Sequence, residues 1–154
     1  MNPLLTRTLL AAALTISFSA RAQAPAASPQ TLADFAKAAP HLLAALECKK
    51  KLVYTDAVKT FVKDPNSFDD VVLPAPLTVF GLKTTAITVT EDDQNGGGGY
   101  NAKFPGLSQK DAAKAAKVKG PNYKRNVKGG GMIEVGAPGD GSAYIACLYG
   151  AGEG

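Results

Sequence analysis

Residues 103–128 hold eight cations, Lys103, Lys110, Lys114, Lys117, Lys119, Lys124, Arg125 and Lys128, against the single carboxylate of Asp111. Cations gathered in one stretch suit an anionic macromolecular partner: an acidic protein, a glycan or a phosphorylated envelope component. A helix opened by Ser108 and running to about residue 118 would set Lys110, Lys114 and Lys117 within about 60° of one another. Ala112, Ala115 and Ala116 would take the opposite side and let the helix sit close to a sheet. Tyr123, Lys124 and Arg125 follow just past its end. The candidate binding residues are therefore Lys110, Lys114, Lys117, Tyr123, Lys124 and Arg125. A solvated helix face opposite an alanine stripe has the same pattern. With one arginine, bidentate recognition of phosphate or carboxylate is weakly supplied. With Tyr123 alone among the cations there is no stacking platform for bases, so nucleic acid is not the expected partner.

Other chemistries have less to work with. The two cysteines, Cys48 and Cys147, are spaced for a structural disulfide enclosing about 100 residues, not for the Cys-x-x-Cys exchange motif. The only histidine, His41, sits beside Leu42 and Leu43 without a ligand-spaced companion, so no metal site is expected. A small hydrolase would have to use His41 with a carboxylate, since no Gly-x-Ser-x-Gly elbow is present. The glycine runs at 96–99 and 129–131 lack the Lys-Ser/Thr and the following helix of a phosphate loop. They read as connections. Glu91, Asp92 and Asp93 lack the spacing and glycine of an EF-hand. No motif implies a cofactor.

The address is more legible than the activity. Arg7, the apolar stretch 8–18 and Ala20-Arg21-Ala22 form a secretory signal with a small-x-small cleavage site, placing residues 1–22 in a leader. No cysteine follows the cleavage site closely enough for a lipid anchor. The expected location is the periplasm or the outside of the cell, where thiols are oxidised. The formal charge of +4 halves once Arg7 and Arg21 leave with the leader, which removes the global case for binding nucleic acid. No apolar run reaches membrane-spanning length, so integral membrane association is not expected. The remaining charge is sorted. Residues 64–93 carry Asp64, Asp69, Asp70, Glu91, Asp92 and Asp93 against Lys83 alone.

The elements follow from spacing. With 45% hydrophobic and 19% charged residues, the chain can build a core, and its length supports one domain. Residues 23–30 read as a flexible mature N-terminus, 31–149 as the domain and 150–154 as a disordered tail. Leu32, Phe35, Ala36, Ala39, Leu42, Leu43 and Leu46 follow helical spacing over residues 31–51, interrupted by Pro40. A second helix covers 55–63. All sixteen glycines lie from Gly81 onward, and the second half reads as strands at 71–73, 77–82, 84–90, 100–104, 132–135 and 143–148 around one helix. The architecture is α+β: N-terminal helices, then a mostly antiparallel sheet with one further helix packed on one face. The expected role is a non-enzymatic exported domain that binds a macromolecule, inhibitor-like or immunity-like in build. The alternatives are the His41 hydrolase and an envelope antigen or spacer with no specific site.

Overall fold

The structure is a computed structural model that describes residues 27–92, 97–129 and 131–150. The leader expected at 1–22 and the tail from 151 lie outside the described residues. The first helix, α1 (Pro29–Leu46), starts earlier than the spacing placed it. Ser28 caps it by accepting the Thr31 N–H (3.1 Å), and Pro29 needs no donor at the first position. One helix runs through Pro40, which is exposed. Phe35, Ala38, Leu42, Ala45 and Leu46 form its buried face, whereas Leu32, expected inside, is 42% exposed. The short α2 (Asp56–Phe61) is capped by Thr55 and packs on α1, with Phe61 edge-on to Phe35 at 5.5 Å.

Three strands follow: β1 (Val71–Val79), β2 (Leu82–Asp92) and β3 (Gly97–Pro105). What read as one run over 77–82 is two strands joined at Phe80-Gly81. Both turn residues have positive φ (51° and 81°), the two-residue primed turn that matches strand twist. Helix α3 (Gln109–Ala115) precedes β4 (Lys124–Val127), β5 (Gly131–Gly136) and β6 (Ser142–Tyr149). The strand β4 was not legible in the sequence, being short and polar but for Val127. Together the six make one antiparallel sheet in the order β1-β2-β3-β6-β5-β4.

Both helical layers lie on one face of that sheet. α1 packs on β1, β3 and β6, and α3 on β5 and β6. Alternation along the strands makes this a single core: Ile87, Val89, Tyr100, Ala102, Ile133, Val135, Ile145 and Cys147 all point to the helices and are buried. Cys48 and Cys147 are disulfide-bonded with Cα atoms 5.3 Å apart. Gly131 relieves crowding beside the bridge, because a Cβ there would stand 3.0 Å from Val127, 3.2 Å from the Tyr149 ring and 3.3 Å from the Cys48 Sγ. No described helix is long and apolar enough to cross a membrane.

Candidate functional site

Each candidate cation takes its position from local chain rules. Ser108 accepts the Asp111 N–H (3.1 Å) and starts α3 with one half of a capping box. The Asp111 carboxylate takes the Ser108 hydroxyl proton (2.6 Å) instead of a backbone N–H. Ala112, Ala113 and Ala116 are buried against the sheet, and Lys110 and Lys114 are exposed one turn apart. The helix stops sooner than the spacing implied. Val118 N–H bonds the Ala113 carbonyl (2.8 Å) and Lys117 N–H the Lys114 carbonyl (3.2 Å), with Lys117 at φ 55°. That is a Schellman ending with lysine where glycine is usual. It turns Lys117 out of the helix and leaves it exposed beside Lys119.

The other three candidates part company. Tyr123 is half-buried against the core and its carbonyl accepts the Val135 N–H (2.9 Å). Arg125 points to the helix side, where one Nη2–H donates to the Ala116 carbonyl (3.2 Å) and closes the end of α3. Lys124 points to the opposite face and pairs with Glu134 at 2.9 Å. The structure thus groups Lys110, Lys114, Lys117 and Lys119 on the helical side, ties Arg125 to the helix end and carries Lys124 across the sheet.

On that opposite face, which no described element covers, the register assembles a second group of residues. Thr88, Asn101, Ala146, Glu134 and Lys124 are successive cross-strand partners, one from each of β2, β3, β6, β5 and β4. In the neighbouring row, Lys103 pairs with Tyr144 and Tyr144 with Gly136. A side chain at Gly136 would overlap the Tyr144 ring, so glycine is what lets this ring lie flat across β5. The Tyr144 hydroxyl then donates to Glu134 Oε1 (3.3 Å), and Lys124 holds Oε2. At the other end, Lys103 bridges Asp140 (3.2 Å) and Asp70 (3.8 Å), and the Thr88 hydroxyl donates to Asp70 Oδ1 (3.0 Å). Thr84 is buried. Its hydroxyl holds the Lys103 carbonyl at 2.6 Å, fixing the strand under that lysine.

These contacts shift the titrations. The Ser142 hydroxyl and then the Ser142 N–H, both on Asp140 Oδ1, together with Lys103 hold Asp140 down at about 2. The hydrogen bond and charge of Asp140, then the charge of Asp70, raise Lys103 above the ordinary lysine value. Burial, and secondarily the Glu134 carboxylate, raises the Tyr144 phenol. Among them lies a recess of about 320 Å³ whose floor is Ala146 and whose walls include Asn101, Tyr144, Leu148 and Pro138. Sequence reasoning missed this group because its members are scattered from Asp70 to Leu148. The alternation of Tyr144, Ala146 and Leu148 with Ile145 and Cys147 was the only local signal.

His41 is half-buried on α1 and forms no ion pair or hydrogen bond with a described carboxylate. The described residues hold no cluster of His, Cys, Asp and Glu suited to a metal ion. No family model, curated protein or solved structure matches the chain.

Proposed function

We propose that the chain is an exported, non-enzymatic binding domain that works in the periplasm or outside the cell and holds an anionic macromolecule on the lysines of α3 and the turn after it. The observation that carries this reading is the state of Lys110, Lys114, Lys117 and Lys119. All four are exposed, and none forms an ion pair with a described residue, whereas Lys103 and Lys124 across the sheet both do. Lys114, in the last turn of α3, suits the helix dipole, but Lys110 does not. Lys110 sits in the first turn, where the helix dipole disfavours a cation, and like charges at i,i+4 cost a few tenths of a kcal/mol. Such a cluster adds little to folding and suits drawing in an opposite charge. The leader-like residues 1–22 and the disulfide support export to a compartment that oxidises thiols.

The test is capture from envelope and culture-medium extracts by the immobilised domain, eluted through a salt series, in parallel with the Lys110→Glu/Lys114→Glu form. A partner released at moderate salt and lost in the double variant is the expected result. A salt-resistant partner held equally by both forms, or no partner at all, would overturn the basic-surface reading.

A further inference from the structure

We infer that the recess on the uncovered face of the sheet is a binding site for one neutral sugar ring. This site is independent of the lysine surface, which lies on the helical side.

Four observations carry the inference. First, the charges around the recess are already neutralised. Both oxygens of Asp70, Asp140 and Glu134 have a donor, and both lysines of the group have a carboxylate. A charged ligand would have to break one of these pairs or leave a charge without a partner, and neither exchange gains much in a half-exposed site. Second, hydrogen-bonding capacity remains. Every carboxylate oxygen of the group except Asp140 Oδ1, which already takes both Ser142 donors, has a second lone pair, the Lys103 ammonium has a proton beyond its two carboxylates, and the Asn101 amide makes no hydrogen bond to a described residue. Acceptors and donors are therefore both on offer around the recess, from two adjacent rows of the sheet. That is the complement of vicinal hydroxyls, which both give and take.

Third, the middle of the row is apolar. Ala146 separates Asn101 from Glu134, Leu148 lies beyond it along β6 and Pro138 comes over from the β5–β6 connection. A pyranose has this split character, with a hydroxyl rim and C–H faces. Its faces would lie on Ala146 and Leu148 while its rim reached the polar row. Fourth, the size is right for one ring: about 320 Å³ is the bottom of the range for ligand sites. The mutual pairing of Lys103, Asp140, Tyr144, Glu134 and Lys124 holds the perimeter in place before a ligand arrives, so little ordering cost falls on binding. Because the recess is open on one side, the affinity expected for a single ring is in the millimolar range.

The experiment is titration of the isotopically labelled domain with glucose, galactose, mannose and N-acetylglucosamine, read by amide chemical shifts. The methyl glycosides of the same sugars serve as mimics of a glycan end. The expected result is saturable shifts for at least one sugar, centred on the amides of Asn101, Lys103, Tyr144 and Ala146. Binding of the methyl glycoside as well assigns the source to a glycan end, and binding of the free sugar alone assigns it to a free sugar. Ala146→Leu should fill the recess and weaken binding at least tenfold. Should that variant fail to fold, Asn101→Ala removes one hydrogen-bonding group from a half-exposed position and should weaken binding about 3- to 10-fold. Lys110→Glu/Lys114→Glu should change nothing. Saturable shifts centred elsewhere, no shifts at about 100 mM sugar, or equal affinity in the recess variants would overturn the inference. So would sodium acetate or ammonium chloride moving the same amides more than every sugar does.

Discussion

Lys124 and Arg125, adjacent in the chain, lie on opposite faces of the sheet: one ammonium pairs with Glu134 on the open face, and one guanidinium reaches Ala116 at the end of α3. A strand turns successive side chains to opposite sides, so a basic run that enters β4 cannot remain one surface. The charge cluster visible in the sequence is divided by that alternation into a free part on α3, a cap and a member of the open-face network.

The division predicts separate effects on stability. Arg125→Ala should cost about 1 kcal/mol, because the Ala116 carbonyl at the helix end loses its donor. Lys110→Glu/Lys114→Glu should stay within about 0.5 kcal/mol of the parent, since both sites are exposed and the gain from an acid in the first turn is offset by loss of the cation from the last turn. Urea denaturation of the two variants measures both. An Arg125→Ala variant as stable as the parent would remove the cap from the account.

Local rules carried much of the fold. The start of α3 at Ser108, the second helix and the strand over 84–90 are set by neighbours within a few residues, whereas Ser28, which caps α1, lay in the stretch read as a flexible N-terminus. What stayed hidden depends on pairing. The strand β4 has three exposed polar residues and a single valine and forms because β5 is beside it, so its own sequence carries little strand signal. Likewise Asp70, Lys103, Glu134 and Tyr144 meet through the register of strands distant in sequence. The α3 lysines were legible because a helix makes its neighbours from i and i+4. The recess was not, because a sheet makes its neighbours from far along the chain.

The disulfide illustrates the same limit at a helix end. On a continuous helix, Cys48 would lie about 160° from Leu32, away from the core. The helix ends at Leu46, and Cys48 takes φ 56°, with Lys49 N–H on the Ala44 carbonyl (2.8 Å) and Cys48 N–H on the Ala45 carbonyl (3.0 Å). That Schellman ending reverses the chain and directs the Cys48 side chain to Cys147.

Breaking the bridge should be expensive. Cys48→Ala/Cys147→Ala should lose about 4–5 kcal/mol on the chain-entropy account, and reduction of the parent should match it. Replacing Cys48 by glycine in the same pair should recover about 1 kcal/mol, because relief of the left-handed backbone strain outweighs the greater freedom of glycine in the unfolded chain. Denaturation midpoints of the three proteins decide it. Equal stability of the alanine and glycine forms would show that the left-handed turn relaxes once the bridge is gone.

Asp140 supplies a test in acid. Its carboxyl is held at about 2 in the folded chain, against an ordinary value of 3.8. A depressed carboxyl contributes stability that is present above the unfolded value and is lost as pH falls through the folded one. The window is therefore pH 4 down to about 2. The parent's urea midpoint should fall toward that of Asp140→Asn across this window and meet it below, the Asp140 contribution being small because the group is exposed to solvent. The causes can be separated as well. The Ser142 hydroxyl is the largest, so Ser142→Ala should raise the Asp140 carboxyl further than Lys103→Met does, read from carboxyl carbon shifts against pH. The reverse order would mean that Lys103, and not the serine turn, holds this edge of the recess in its charged form.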